Sequence, residues 1–177
     1  MHETDDDIAW LQALLDRSYD AAGEHLRSIT TPGRRIPAAE LGELLRGVQV
    51  INLATVTAAG EPRVAPVDGL FFRGRFHFSS STTSQRYRNL QRRPQVSAAH
   101  TRGEEIAVVV HGTAELFALS DPEWRDFRAY AEEVYIPLYG EGWRDFVSGD
   151  TIFFARIEPA RMFTFRMDQP SLSKDKA

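Results

Sequence analysis

Apolar and aromatic side chains at Ile8, Leu11, Leu15, Tyr19, Ala22, Leu26 and Ile29 recur in steps of three and four, the stripe of one amphipathic helix. Asp5, Asp6 and Asp7 precede the stripe, where the positive end of a helix dipole favours carboxylates. After the loop residues Thr31, Pro32 and Gly33, residues 37–47 read as a short second helix that buries Leu41, Leu44 and Leu45. Pro37 suits its start and Gly47 the position past its end. The texture then changes to β-branched alternation. Residues 48–57, 63–72 and 75–78 are predicted strands, with turn chemistry at 58–62 and at Arg73-Gly74. Such short connections make the three an antiparallel meander.

A polar stretch, 79–83, follows. Ser84 is placed to cap a helix over 85–93, which Pro94 stops. Residues 95–101 and 106–117 are two further strands, with Gly103 in the turn between them. Ser120-Asp121-Pro122-Glu123 has capping-box spacing and opens a helix carrying Trp124, Phe127 and Tyr130. Residues 135–149 are aromatic and contain glycine, and read as irregular with a short helical piece. Strands at 151–157 and 161–165 close the pattern around Pro159, and the polar tail 168–177 is expected to be frayed. Six or seven mostly antiparallel strands with a few helices describe a small closed or nearly closed barrel; a sandwich fits the same pattern. A chain of 177 residues has room for one such domain.

Charge and composition narrow the chemistry. A net charge of -4 argues against general nucleic-acid binding. The absence of cysteine removes disulfides, thiolate catalysis and Cys-based zinc sites. No apolar run approaches the roughly 18 residues of a membrane helix, and the acidic start lacks the apolar stretch of a secretory signal. A cytoplasmic location is therefore expected, with no membrane partner.

Against that acidic background Arg86, Arg88, Arg92 and Arg93 crowd one helix. Hydroxyls at a strand end (Ser79, Ser80) and at the helix start (Ser84) adjoin them. Free backbone N–H groups, the helix dipole and a bidentate arginine together make an anion site. A capped helix with a solvated basic face is the plain alternative. A second candidate is Arg63-Val64-Ala65-Pro66-Val67. Pro66 cannot donate a ladder hydrogen bond, so it marks an interrupted or edge strand whose free backbone groups can read a heterocycle. His77, His100 and His111 lack metal-ligand spacing, read as polar positions of alternating strands, and no metal is expected. The glycine signatures of Rossmann folds, P-loops and α/β-hydrolases are missing. The aromatic-rich stretch 130–143 reads as core, substrate pocket or dimer surface.

An ordered set of segments resembles the pyridoxamine 5'-phosphate oxidase-like family of flavin and deazaflavin split-barrel proteins. It comprises 48–57, Gly60 to Val67, Phe76-His77-Phe78-Ser79, Ser84 to Leu90, Pro94 to Ser97, Val110 to Leu116 and Ile157 to Met162. The resemblance implies a mainly β fold with helices, a six-stranded antiparallel split β-barrel over 37–167. An N-terminal helical extension (1–36) precedes it and a flexible tail (168–177) follows. It also implies a homodimer with a cofactor at the interface, FMN or alternatively coenzyme F-420. Phosphate would meet Ser79, Ser80, Ser84 and Arg86, with Arg88 a weaker contact, and the ring would face Arg63, Val64, Ala65, Pro66 and Val67. The implied activity is hydride transfer to or from a small organic substrate, with no catalytic acid or base identified. The alternative is a non-catalytic flavin, deazaflavin or haem carrier or sensor. Arg161 and Arg166 are basic residues near the C-terminus, but the tail lacks the basic and histidine pattern for a substrate phosphate, so vitamin B6 oxidation is the minor reading.

Overall fold

The computed structural model describes residues 2–167; the tail expected to be frayed lies outside them. Thr4 starts α1 (Asp5–Asp20), accepting from the Asp7 N–H while the Asp7 carboxylate accepts from the Thr4 N–H. The helix buries Leu11, Leu14, Leu15 and Tyr19. The predicted stripe does not continue as one helix. The chain turns at Ala21 to Gly23, where Gly23 is extended, and α2 (Glu24–Ile29) buries nothing. Leu26 and Ile29 thus kept the spacing of α1 without sharing its buried face. After a 3-10 turn (Pro32–Arg34), Pro37 caps α3 (Ala38–Leu44), and Leu41 and Leu45 are fully buried.

The strands are β1 (Val48–Val56), β2 (Pro62–Phe72), β3 (Arg75–Ser81), β4 (Gln95–Arg102), β5 (Ile106–Phe117) and β6 (Ile152–Arg166). They close antiparallel in the order β1-β2-β3-β6-β5-β4. The six-stranded barrel is as expected, and the sandwich drops out. The closing seam is short: Asn52, Leu53 and Ala54 of β1 face Ala99, Ala98 and Ser97 of β4. Beyond it the His100 ring nitrogen Nδ1 lies 3.0 Å from the Val50 carbonyl oxygen. The two strands expected around Pro159 are one strand with a bulge. Arg161 pairs with His111 and Pro159 with Gly112, which leaves Ala160 unpaired. The bulge accommodates a proline that cannot donate to the ladder.

Two apolar clusters result. One fills the barrel and takes in α1 and α3, through Leu14, Leu45, Ile51, Phe76, Val108 and Met162 among others. The second lies outside β2, β3 and β6, where Leu70, Phe72 and Phe154 meet the segment joining β5 to β6. In that segment the capping box does not form. Pro122–Trp124 is a 3-10 turn begun by Asp121 without a side-chain bond, so Trp124 precedes the helix. The helix α5 (Arg125–Tyr139) runs through Pro137, and α6 (Gly142–Ser148) follows. Residues 135–149 are therefore helical on either side of Gly140, held by the aromatic face they bury. The same covering corrects two histidines. His77 (2% exposed) and His100 (6%) are buried, because β3 is packed on both faces and His100 covers the barrel seam. Among the described residues no helix is long and apolar enough to cross a membrane.

Candidate functional site

Three elements converge at one corner: the open half of β2, the end of β3 and the start of α4 (Gln85–Arg92). Along β2 residues 62–66 are exposed, Val67 is half-buried, and only Gly69 to Phe72 enter the core. Ser84 opens α4, its Oγ accepting the Tyr87 N–H at 3.1 Å. Arg86, in the first turn of α4, reaches back across the corner. One terminal nitrogen donates to Ser80 Oγ at 3.0 Å and the other to the Pro66 carbonyl at 3.4 Å. The guanidinium is half-buried and has no carboxylate partner among the described residues; burial lowers its pKa from the ordinary value. The structure thus joins the two sequence candidates through a single side chain.

The remaining predicted residues divide. Ser79 pairs with Phe154 and Ser80 with Phe153 at the end of β3, so the polar stretch is partly strand. Val64 and Ala65 are exposed on β2, Val64 by 66%. Arg63 turns from the corner and pairs with Glu61 at 2.7 Å. Arg88 also turns away, donating to the Thr83 carbonyl at 2.9 Å and to Gln85 Oε1 at 3.0 Å. Arg93 holds the Ala58 carbonyl at 3.1 Å, which pins the β1–β2 turn to the end of α4.

Beside the corner lies a cleft of about 570 Å³ between Val67, Asp68 and Ser79 on one side and α5–α6 on the other. Its far wall is aromatic. The Tyr135 and Trp143 rings stack at 5.1 Å and 20°, and Tyr139 follows Tyr135 at 6.0 Å and 25°. Burial, and secondarily the Asp68 charge, push the Tyr135 hydroxyl pKa well above its ordinary value, so it stays protonated. Asp68 was missed in the sequence, and α6 was read only as a short helical piece of an irregular stretch. The aromatic density of 130–143 was the available signal, but not the strand it faces. A separate cavity of about 610 Å³ lies between the end of β5 and α5–α6, lined in part by Arg128, Glu132 and Arg144. Arg144 is already paired there with Glu132 and Glu141, and none of the predicted site residues borders it.

The family described as "Pyridoxamine 5'-phosphate oxidase" matches residues 38–153, well over half of the chain. No curated protein matches the sequence. Solved structures do. A haem storage protein, HutZ, from Vibrio cholerae is 20% identical with a TM-score of 0.59, over 72% of this chain and 92% of that one. A FAD-binding protein from Mesorhizobium loti is 19% identical with a TM-score of 0.58, over 77% and 97%. An F420 reductase is 21% identical with a TM-score of 0.51, over 68% and 93%. At these identities the likeness is one of fold.

Proposed function

The chain belongs to the pyridoxamine 5'-phosphate oxidase family, and on that premise we propose that it is a flavin-dependent oxidoreductase acting on a small organic substrate. FMN, or the deazaflavin coenzyme F-420 in its place, would set its phosphate among Ser79, Ser80, Ser84 and Arg86. Its ring would lie along the backbone of Val64 to Val67.

One observation carries this reading. Arg86 is a half-buried cation whose partners are two neutral oxygens, Ser80 Oγ and the Pro66 carbonyl. Burying a charge without a counter-charge is costly, and a phosphate supplies both the charge and acceptors for the donors left over. When bound, the flavin supplies the hydride chemistry. The chain's part is to orient it. Arg86 holds the phosphate end, the α4 N-terminus adds its dipole, and the open half of β2 leaves the ring a strand edge to lie on. Val50 and Val64, 55% and 66% exposed on paired strands, support a second copy covering this face and completing the site.

A carrier or sensor of flavin, deazaflavin or haem is the second reading, supported by the likeness in fold to a haem storage protein. Titration of the purified protein with FMN and with F-420 tests the first. Arg86→Ala should weaken binding by about 1.5–3 kcal/mol, the scale of a hydrogen bond to a charged group. Unchanged affinity would mean that the phosphate sits elsewhere. Reduction of an acceptor panel by the loaded protein separates enzyme from carrier, and native mass spectrometry reports the dimer.

A further inference from the structure

The cleft between β2, β3 and α5–α6 presents polar groups that the described chain leaves unused. Asp68, exposed on β2 opposite Val50, makes no hydrogen bond or ion pair among the described residues. The Tyr135 hydroxyl and the Trp143 indole N–H are likewise without partners there. Among the described residues Asp68 is also the only charged side chain lining the cleft. Around these groups the walls are aromatic. Tyr139 and Phe146, each 63% exposed, stand open to solvent beside the buried Tyr135 and Trp143. Exposed aromatics that gather at a concavity, unlike scattered ones, mark a surface something covers. The volume of about 570 Å³ lies within the range of small-molecule pockets.

Position ties the cleft to the proposed cofactor. Val67 and Ser79 line it, and both belong to the residues assigned to flavin binding. A molecule in the cleft would therefore touch two residues of the proposed cofactor site. Its chemistry follows from the walls. Flat rings gain by packing on Tyr135, Tyr139 and Trp143. An ionised carboxylate only accepts hydrogen bonds, so Asp68 calls for an N–H donor or a cation, and aromatic faces add cation–π attraction. A phosphate or carboxylate would meet Asp68 with like charge and find no basic side chain among the described residues lining the cleft.

We infer that this cleft is the substrate subsite beside the cofactor, and that it takes a flat aromatic molecule, neutral or cationic, with an N–H turned toward Asp68. As a substrate assignment this rests on the redox reading above. It excludes phosphorylated and carboxylated substrates, the B6 phosphates among them.

The test uses two ring systems of matched size and opposite charge, 9-aminoacridine and acridine-9-carboxylate. Each is titrated by fluorescence into the full chain, with and without saturating FMN. The cation should bind about ten-fold or more tightly than the anion, the scale of one charge contact near a protein surface. Asp68→Asn should bring the two affinities together while FMN affinity is unchanged. Tyr139→Ala, at an exposed position, should weaken both probes alike. Equal affinity for the two probes, or a preference that survives in Asp68→Asn, overturns the proposal. So does competition between FMN and 9-aminoacridine, which would put the cofactor itself in the cleft. A chain that binds neither FMN nor F-420 yet keeps the Asp68-dependent preference overturns the redox reading and leaves the ligand class intact.

Discussion

His77 and Phe127 lie face to face, ring centroids 4.1 Å apart and 20° from parallel, where β3 meets α5. Burial is the main reason that the His77 pKa falls from 6.5 to about 3; a hydrogen bond to the Arg75 carbonyl opposes the shift, and the charges of Arg156 and Arg75 add to it. The imidazole is therefore neutral in the fold at any pH where the unfolded chain begins to bind a proton. The folded pKa is the lower one, so the contribution is complete above about pH 6.5 and is lost as pH falls toward about 3. The slope in that window approaches about 1.4 kcal/mol per pH unit. Urea midpoints at pH 7.5 and pH 5 should diverge more for the natural chain than for His77→Phe, which keeps a ring against Phe127. Equal acid sensitivity in the two proteins would place the proton elsewhere.

Tyr19 ties the first helix to the barrel. Its hydroxyl donates to the Thr164 carbonyl and accepts from the Thr164 N–H, both at 2.8 Å, while Thr164 Oγ1 bridges the N–H and carbonyl of Ile36. Tyr19→Phe leaves buried groups without partners and should cost about 1–3 kcal/mol. In a chain of this size each kcal/mol is a fall of about 2–4 °C in Tm, readable by calorimetry.

Gly112 faces the bulge in β6. A Cβ there would collide with the Glu158 carbonyl oxygen and come within 3.0 Å of the Pro159 Cα. These are backbone atoms of a paired strand, which cannot swing away. Gly112→Ala should destabilise the fold by about 1–3 kcal/mol. A thermal melt matching the natural chain would show that the bulge yields.

Ser84 has two proposed tasks, and a pair of variants separates them. Ser84→Ala removes the cap of α4 and should cost about 1 kcal/mol of stability. Ser84→Asp keeps a capping oxygen but adds a negative charge at the proposed phosphate position. Its denaturation midpoint should stay near that of the natural chain while FMN affinity drops. Retained FMN affinity in Ser84→Asp would leave Ser84 as a cap alone.

The barrel strands were legible because their alternation has one physical cause, an inner face that is always covered. Residues 48–56 and 106–117 read to within a residue. The errors cluster where a second layer covers the outer face too. In Phe76-His77-Phe78 the alternation suggested an outward histidine, yet α5 makes that side apolar as well. Residues 135–149 carry Pro137, Gly140 and Gly142, local marks of irregular chain, and packing of Tyr135 and Trp143 overrides them. In the corner itself Ser80 and Arg86 were legible as polar residues at a strand end and a helix start. The Pro66 carbonyl as their meeting point was not, because it depends on how β2 runs on past the end of its pairing with β3 to meet the start of α4.

The closed circuit of six strands has a consequence for how the protein meets others. The circuit still leaves one ladder open on one side along the outer half of β2, where Pro62 to Asp68 pair with β1 but not with β3. Contacts through the outward side chains of these strands are tuned one residue at a time, so a lysine in place of Val50 or Val64 would test the proposed pairing of two copies without disturbing a rung of the ladder.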